Sequence, residues 1–281
     1  MRRYCFLMLL LVASVAYAQE SDTVAAPSEP NYSGFPEGRK VMTYLNFHQS
    51  VGYGLYRDLG TSPLTYSGGV IRSGFDVEIR MRKLRIAQTN SLIVGLYSFD
   101  SKALALETIG GCSENGVRMS FRAWEKRHWQ LWVGASIDNY IGLKYNSNFS
   151  NSYLGLTDVL GIGLHGRMEF RTRMRPSGAH WEMHGELSVM PVAWTYRPGY
   201  SYVDNYSAGD EGVASTLFSN YEGATAWLPI TKTDFGAAYV MRSGNKVGLS
   251  YVWSFLTTGK SGVYRFEEAS HLLCVNLMVL L

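Results

Sequence analysis

Charge is scarce in this 281-residue chain: Asp, Glu, Lys and Arg together supply 17% of it, against about a quarter of an ordinary soluble domain. Proline (8) and cysteine (3) are few, so neither a proline-rich extended chain nor a disulfide framework is available. Long apolar runs are missing too. Beyond the first eighteen residues, nothing approaches the roughly 20 apolar residues of a membrane-spanning helix. What is plentiful is Gly (29) and aromatics (19 Tyr, 12 Phe, 7 Trp), within a hydrophobic content of 46%. That composition excludes disorder, collagen and a coiled coil.

Met1-Arg2-Arg3 is a basic start, Tyr4 to Val15 an apolar core and Ala16-Tyr17-Ala18 a small-x-small cleavage site. Residues 1–18 therefore read as a secretory signal peptide. Cys5 lies inside it, too early for a lipoprotein cleavage site. Without Arg2 and Arg3, the 26 basic residues fall to within one of the 23 acidic ones. No nucleic acid or other anionic partner is implied. Residues 19–40 are polar, contain Pro27, Pro30 and Pro36, and lack periodicity, as expected of a flexible periplasmic leader.

From Val41 to the last residue the dominant period is two. In His128 to Lys144 the odd positions Trp129, Leu131, Val133, Ala135, Ile137, Ile141 and Leu143 are apolar. The even positions are mostly small, polar or charged, with Trp132 and Tyr140 as exceptions. Elsewhere Ile71, Phe75, Val77, Ile79 and Met81 alternate with Arg72, Asp76, Glu78, Arg80 and Arg82. A strand sorts such residues onto two faces, whereas a helix scatters them. A soluble sandwich also alternates, but its strands average about five or six residues. Runs of eleven or more match a tilted strand crossing a bilayer, with lipid on the apolar side and the barrel interior on the other.

Ten segments follow: 43–56, 66–83, 89–99, 115–125, 128–144, 153–174, 178–196, 222–242, 246–258 and 267–281. The fold class expected for residues 41–281 is an all-β, closed antiparallel transmembrane β-barrel of ten strands. Twelve is the alternative if 197–230 hides a hairpin. An even count suits a closed single-chain barrel, and short turns then alternate with long connections, short ones in the periplasm and long ones outside. Trp124, Trp129 and Trp181 fall near periplasmic ends. Tyr53, Tyr97, Tyr140, Tyr153, Trp194 and Tyr196 fall near outer ends, as two girdles.

The sixth and seventh segments carry a polar face dense in charge. If Pro176-Ser177 is a two-residue turn, opposed residues sum to 353. Arg173 then faces His180, Arg171 faces Glu182, Glu169 faces His184, Arg167 faces Glu186 and His165 faces Ser188. A metal site at these His and Glu residues is the competing reading, but interleaved guanidinium groups repel a cation. The expected lumen charge network comprises Arg72, Asp76, Glu78, Arg80, Arg82, Arg167, Glu169, Arg171, Arg173, Glu182, His184 and Glu186. No cofactor, metal or catalytic residue is assigned. The cationic excess in this inward set predicts a mild anion preference for any narrow solute channel.

His48-Gln49-Ser50 resembles the His-x-Ser element of outer-membrane phospholipases and lipid A deacylases, where His activates Ser for acyl transfer. The usual following Asn is Val51 here, and parity points His48 and Ser50 inward. A lipid-modifying acyl hydrolase is thus a minor alternative. Tyr202, Tyr206, Asp204, Asp210 and Glu211 crowd the longest outer connection, a composition that suits a surface partner or glycan.

Ser62-Pro63-Leu64-Thr65-Tyr66-Ser67-Gly68, Met190-Pro191-Val192 and Pro198-Gly199-Tyr200-Ser201-Tyr202, with the paired last strands, resemble an uncharacterised, domain-of-unknown-function family of Bacteroidetes outer-membrane barrels. The resemblance covers most of 41–281 and implies an outer-membrane location with no known activity. Membrane lipid and the outer-membrane assembly machinery are the implied partners. Many barrels offer that machinery a terminal aromatic residue, where this chain has Leu280-Leu281.

Overall fold

The computed structural model describes residues 41–59, 62–99, 108–146, 154–172, 179–196, 222–224, 229–258 and 265–281. Its elements are all strands: β1 (Val41–Asp58), β2 (Ser62–Met81), β3 (Leu84–Ser98), β4 (Thr108–Lys126), β5 (Trp129–Asn146), β6 (Leu154–Arg171), β7 (His180–Tyr196), β8 (Glu222–Ala224), β9 (Ile230–Val240), β10 (Lys246–Thr257) and β11 (Phe266–Leu280). Each pairs antiparallel with its neighbours, β1 with β11 and β6 with β7, so the sheet closes on itself.

The eleven strands form ten staves. β8 pairs with Ala193–Thr195 and β9 with His180–Met190, so the two occupy successive stretches of one position beside β7. The single segment expected at 222–242 is therefore interrupted. The twelve-strand alternative is corrected, because β7 and β9 are direct neighbours and leave no place for a hairpin between them. β4 also begins earlier than the expected 115, at Thr108, since Gly110, Gly111 and Cys112 continue the ladder opposite β3 and β5.

Alternation assigns the two faces as the sequence pattern expects. Phe47, Val51, Ile71, Phe75, Leu92, Val117, Ile137, Leu164, Leu249 and Val275 are exposed on the exterior, whereas Asn46, Glu78, Arg80, His165, Glu169 and Glu186 are buried within. Closure pairs each stave on both sides, so backbone groups bond within the sheet rather than at an open edge. Bulges interrupt three ladders, at Arg57/Asp58, Arg122/Trp124 and Ile162/Leu164. The last shifts the outer end of β7, so Met190 and Ala193 both face inward.

Short turns join the strands at one end. Arg127 adopts a left-handed conformation (φ 45°) between β4 and β5, and Gly244 (φ 88°) does so between β9 and β10. Trp124, Trp129 and Trp181 are exposed at this end, as a girdle requires. The opposite girdle needs correction. Tyr53 is exposed, but Tyr97 and Tyr140 are buried because their parity turns them into the lumen, and Tyr196, opposite Asp158, is buried as well. Tyr153 lies outside the described residues.

Several glycines make room for these inward rings. A side chain at Gly95 would overlap the Tyr97 ring at 2.4 Å, and one at Gly54 or Gly110 would press it at 3.1 Å. At Gly134 the limit is backbone: a Cβ would stand 1.9 Å from the Met119 carbonyl oxygen. Gly69, by contrast, faces open space. Gly134→Ala should lower the temperature at which the folded barrel loses its fast gel migration by several degrees, with Gly69→Ala close to the parent; equal midpoints would contradict the packing.

Candidate functional site

The lumen is filled at three levels by side chains that reach across it. Nearest the short turns, Glu169 of β6 accepts from Arg80 of β2 (2.9 Å) and Arg85 of β3 (3.3 Å), as well as from Arg167 (2.8 Å) and Arg171 (3.3 Å) of its own strand. Arg80 and Arg85 also hold Glu78, at 3.1 and 2.7 Å. These two arginines are directly opposed, a like-charge pair that would be unfavourable without the carboxylates between them. Glu182 takes Lys246 of β10 at 2.6 Å and ion-pairs with Arg171 at 3.0 Å.

At the middle level, Arg118 of β4 meets Glu186 of β7 at 2.5 Å, and Arg167 meets the other carboxylate oxygen at 2.8 Å. Glu114 of β4 lies 3.3 Å from Lys232 of β9 and 3.5 Å from Arg72. His184 pairs with Asp234 at 3.3 Å. Between the two levels is a cavity of about 130 Å³ walled by these charges, room for a few waters.

At the outer level, Glu268 of β11 binds Tyr140 (2.6 Å) and Lys144 (2.7 Å), both of β5. The Lys144 ammonium sits over Tyr56 (4.4 Å) and Phe266 (4.9 Å), an aromatic cage for a desolvated cation. Tyr56 stacks on Tyr66 at 5.0 Å and donates to Thr108 at 2.8 Å.

β6 and β7 pair with Arg171 opposite Glu182, Glu169 opposite His184, Arg167 opposite Glu186 and His165 opposite Ser188. Arg173 and the Pro176-Ser177 turn lie outside the described residues. Arg82 is a correction: β2 ends at Met81, so Arg82 is exposed in the turn rather than in the lumen. The expected network left out Arg85, Glu114, Lys144, Lys232, Lys246 and Glu268, although alternation already puts Lys144 and Lys246 on the inward face. Arg85 and Glu114 were assigned to connections, though a two-residue turn at Arg82-Lys83 would have placed Arg85 inward by parity. Four of these six are cations and two are carboxylates, so the inward set keeps its cationic excess.

Among the described residues, no group of three or more His, Cys, Asp or Glu is placed to hold a metal ion. Ser50 is not the hydroxyl that His48 meets. His48 Nε2 lies 3.1 Å from Ser91 Oγ, and Nδ1 lies 3.5 Å from Asp76. The order carboxylate, imidazole, hydroxyl matches a nucleophile relay, but Arg72 donates to the same Ser91 oxygen at 2.9 Å and the site is deeply buried. A hydroxyl held this way ties β1, β2 and β3 together.

No protein-family model matches the chain, and no curated protein matches it in sequence. Among solved structures, the outer-membrane protease OmpT from Escherichia coli is similar at 8% identity and a TM-score of 0.43, over 86% of this chain and 96% of that one. The β-domain of the Bordetella autotransporter BrkA is similar at 12% identity and a TM-score of 0.37, over 84% and 97%. The chain's own geometry places it: a closed antiparallel barrel with an apolar exterior and a charged interior is at home only in a bilayer. It is an integral β-barrel of the bacterial outer membrane.

Removing Glu169 would take a shared carboxylate from four buried guanidinium groups, leaving Arg80 and Arg85 on Glu78, Arg167 on Glu186 and Arg171 on Glu182. Glu169→Ala should destabilise the barrel by about 3–5 kcal/mol, the ordinary loss when one partner of a buried pair is deleted. Denaturant unfolding followed by gel migration checks this, and a loss under 1 kcal/mol would contradict it.

Proposed function

We propose that the chain is a non-enzymatic, non-conducting outer-membrane barrel that holds its outer connections at the cell surface for a partner or glycan. The observation that carries this reading is the cross-lumen bracing: Glu169 to Arg80, Lys232 to Glu114 and Glu268 to Lys144 link opposite walls at three heights. A narrow lumen braced in this way has no continuous water column. The orientation that suits it puts the short turns in the periplasm. Residues 1–18 then serve as the export signal and 19–40 as a periplasmic leader. The outer connections that would meet the partner lie outside the described residues. Kinship with the uncharacterised Bacteroidetes barrels belongs to the same proposal.

Planar-bilayer recording tests it. The parent protein should give no resolved steps, whereas the double variant Glu169→Ala/Glu268→Ala, which loosens two bracing levels, should give small ones. Large steady steps from the parent would favour a channel. Fatty-acid release from phospholipid vesicles, abolished by Ser91→Ala, would favour a hydrolase.

A further inference from the structure

The exterior of β3, β4 and β5 forms regular rows of three opposed residues. From the long-connection end downward, the rows are Leu96, Ile109 and Tyr145; Val94, Gly111 and Leu143; Leu92, Ser113 and Ile141. The fourth row is Asn90, Asn115 and Asn139. Below it, apolar residues predominate again, ending on Leu84, Phe121 and Val133. Most apolar residues above the Asn row are strongly exposed, Leu92 at 60%, Ile109 at 51% and Leu143 at 49%.

No vertical placement of a bilayer suits this face in a lone barrel. At ordinary strand rise and tilt the rows span about 30 Å of the barrel axis, against an apolar band of about 25 Å. A membrane covering the apolar rows buries three amides in hydrocarbon, where polar groups are costly. A membrane stopping at the amides leaves three apolar rows in water. Opposite, β10 carries no such row; Val247, Leu249 and Tyr251 run together.

The amides do not satisfy one another fully. Asn115 donates sideways to Ser113 (3.0 Å) and Asn139 to Asp158 (2.8 Å), along the wall. Asn90 Nδ2 is enclosed by the chain itself, without an acceptor. Asn115 commits one amide hydrogen to Ser113 and keeps the other, with its carbonyl oxygen, for a partner. Gly111 and Ser113, on the middle strand just above Asn115, let another wall approach closely.

We propose that this face is an intramembrane interface with a second copy of this chain, related by a two-fold axis along the membrane normal near Asn115. A two-fold contact must be self-complementary. An amide, being donor and acceptor at once, can pair with its own symmetry mate, as a carboxylate or ammonium cannot. The matching apolar rows then cover each other above and below.

Oxidative cross-linking in native membranes tests this. Asn115→Cys should yield an adduct of twice the chain mass, because Cys112 and Cys274 are buried and give no background. Leu249→Cys, on the opposite wall, should not. Asn90→Leu/Asn115→Leu/Asn139→Leu should keep heat-modifiable migration, which reports the folded barrel, yet shift the native mass in mild detergent from dimer to monomer. Cross-linking no stronger at 115 than at 249, an adduct of any other mass, or a triple variant that stays dimeric would each overturn the proposal.

Discussion

Glu169 sits among four arginines drawn from three staves, and the rest of the interior follows the rule it obeys. When a sheet closes at ten staves, every second side chain enters a lumen too narrow for bulk water, so any charge placed there must be neutralised by another side chain. Neighbours on the same strand cannot do this alone. The chain meets the demand with long Arg, Lys and Glu side chains that cross the lumen and bind a distant stave. The braces therefore follow from desolvation, and they hold the wall together at the same time.

Shape is settled by the same crowding. Three glycines lie under Tyr97, and Tyr140 fills the space beside Glu268, so the upper lumen is closed by rings where the lower lumen is closed by ion pairs. The small cavity between the two ion-paired levels is lined by charged side chains together with Ala87, Ala237, Ala238 and Val252. Rigidity inside leaves the exterior and the outer connections as the places where a partner can act. The exterior is not uniform, since the Asn row on β3 to β5 and the Gln49–Ser73 pair on β1 and β2 interrupt the apolar wall.

Much of this was legible from residue order because a strand's period of two is local. The β6–β7 register is the one expected from parity and the spacing around Pro176-Ser177, and it brings Arg171, Arg167 and Glu169 opposite their partners without reference to the rest of the chain. Arg85 escaped because its strand starts one residue after Lys83, inside what composition suggested was a turn. Tyr97 and Tyr140 escaped because an aromatic near a strand end suits a girdle equally well, and only parity carried through from the neighbouring charged residues separates the two.

The sequence by itself determined the architecture: alternation over long strands, an even number of staves, an apolar outside and a charged inside, since each depends on neighbours within a few positions. Only the tertiary structure decided which charges meet across the lumen, that Ser91 rather than Ser50 meets His48, and that three asparagines from separate strands fall into one row. Those contacts join residues far apart in the chain. They depend on the stagger with which the sheet closes, which is a property of all ten staves together.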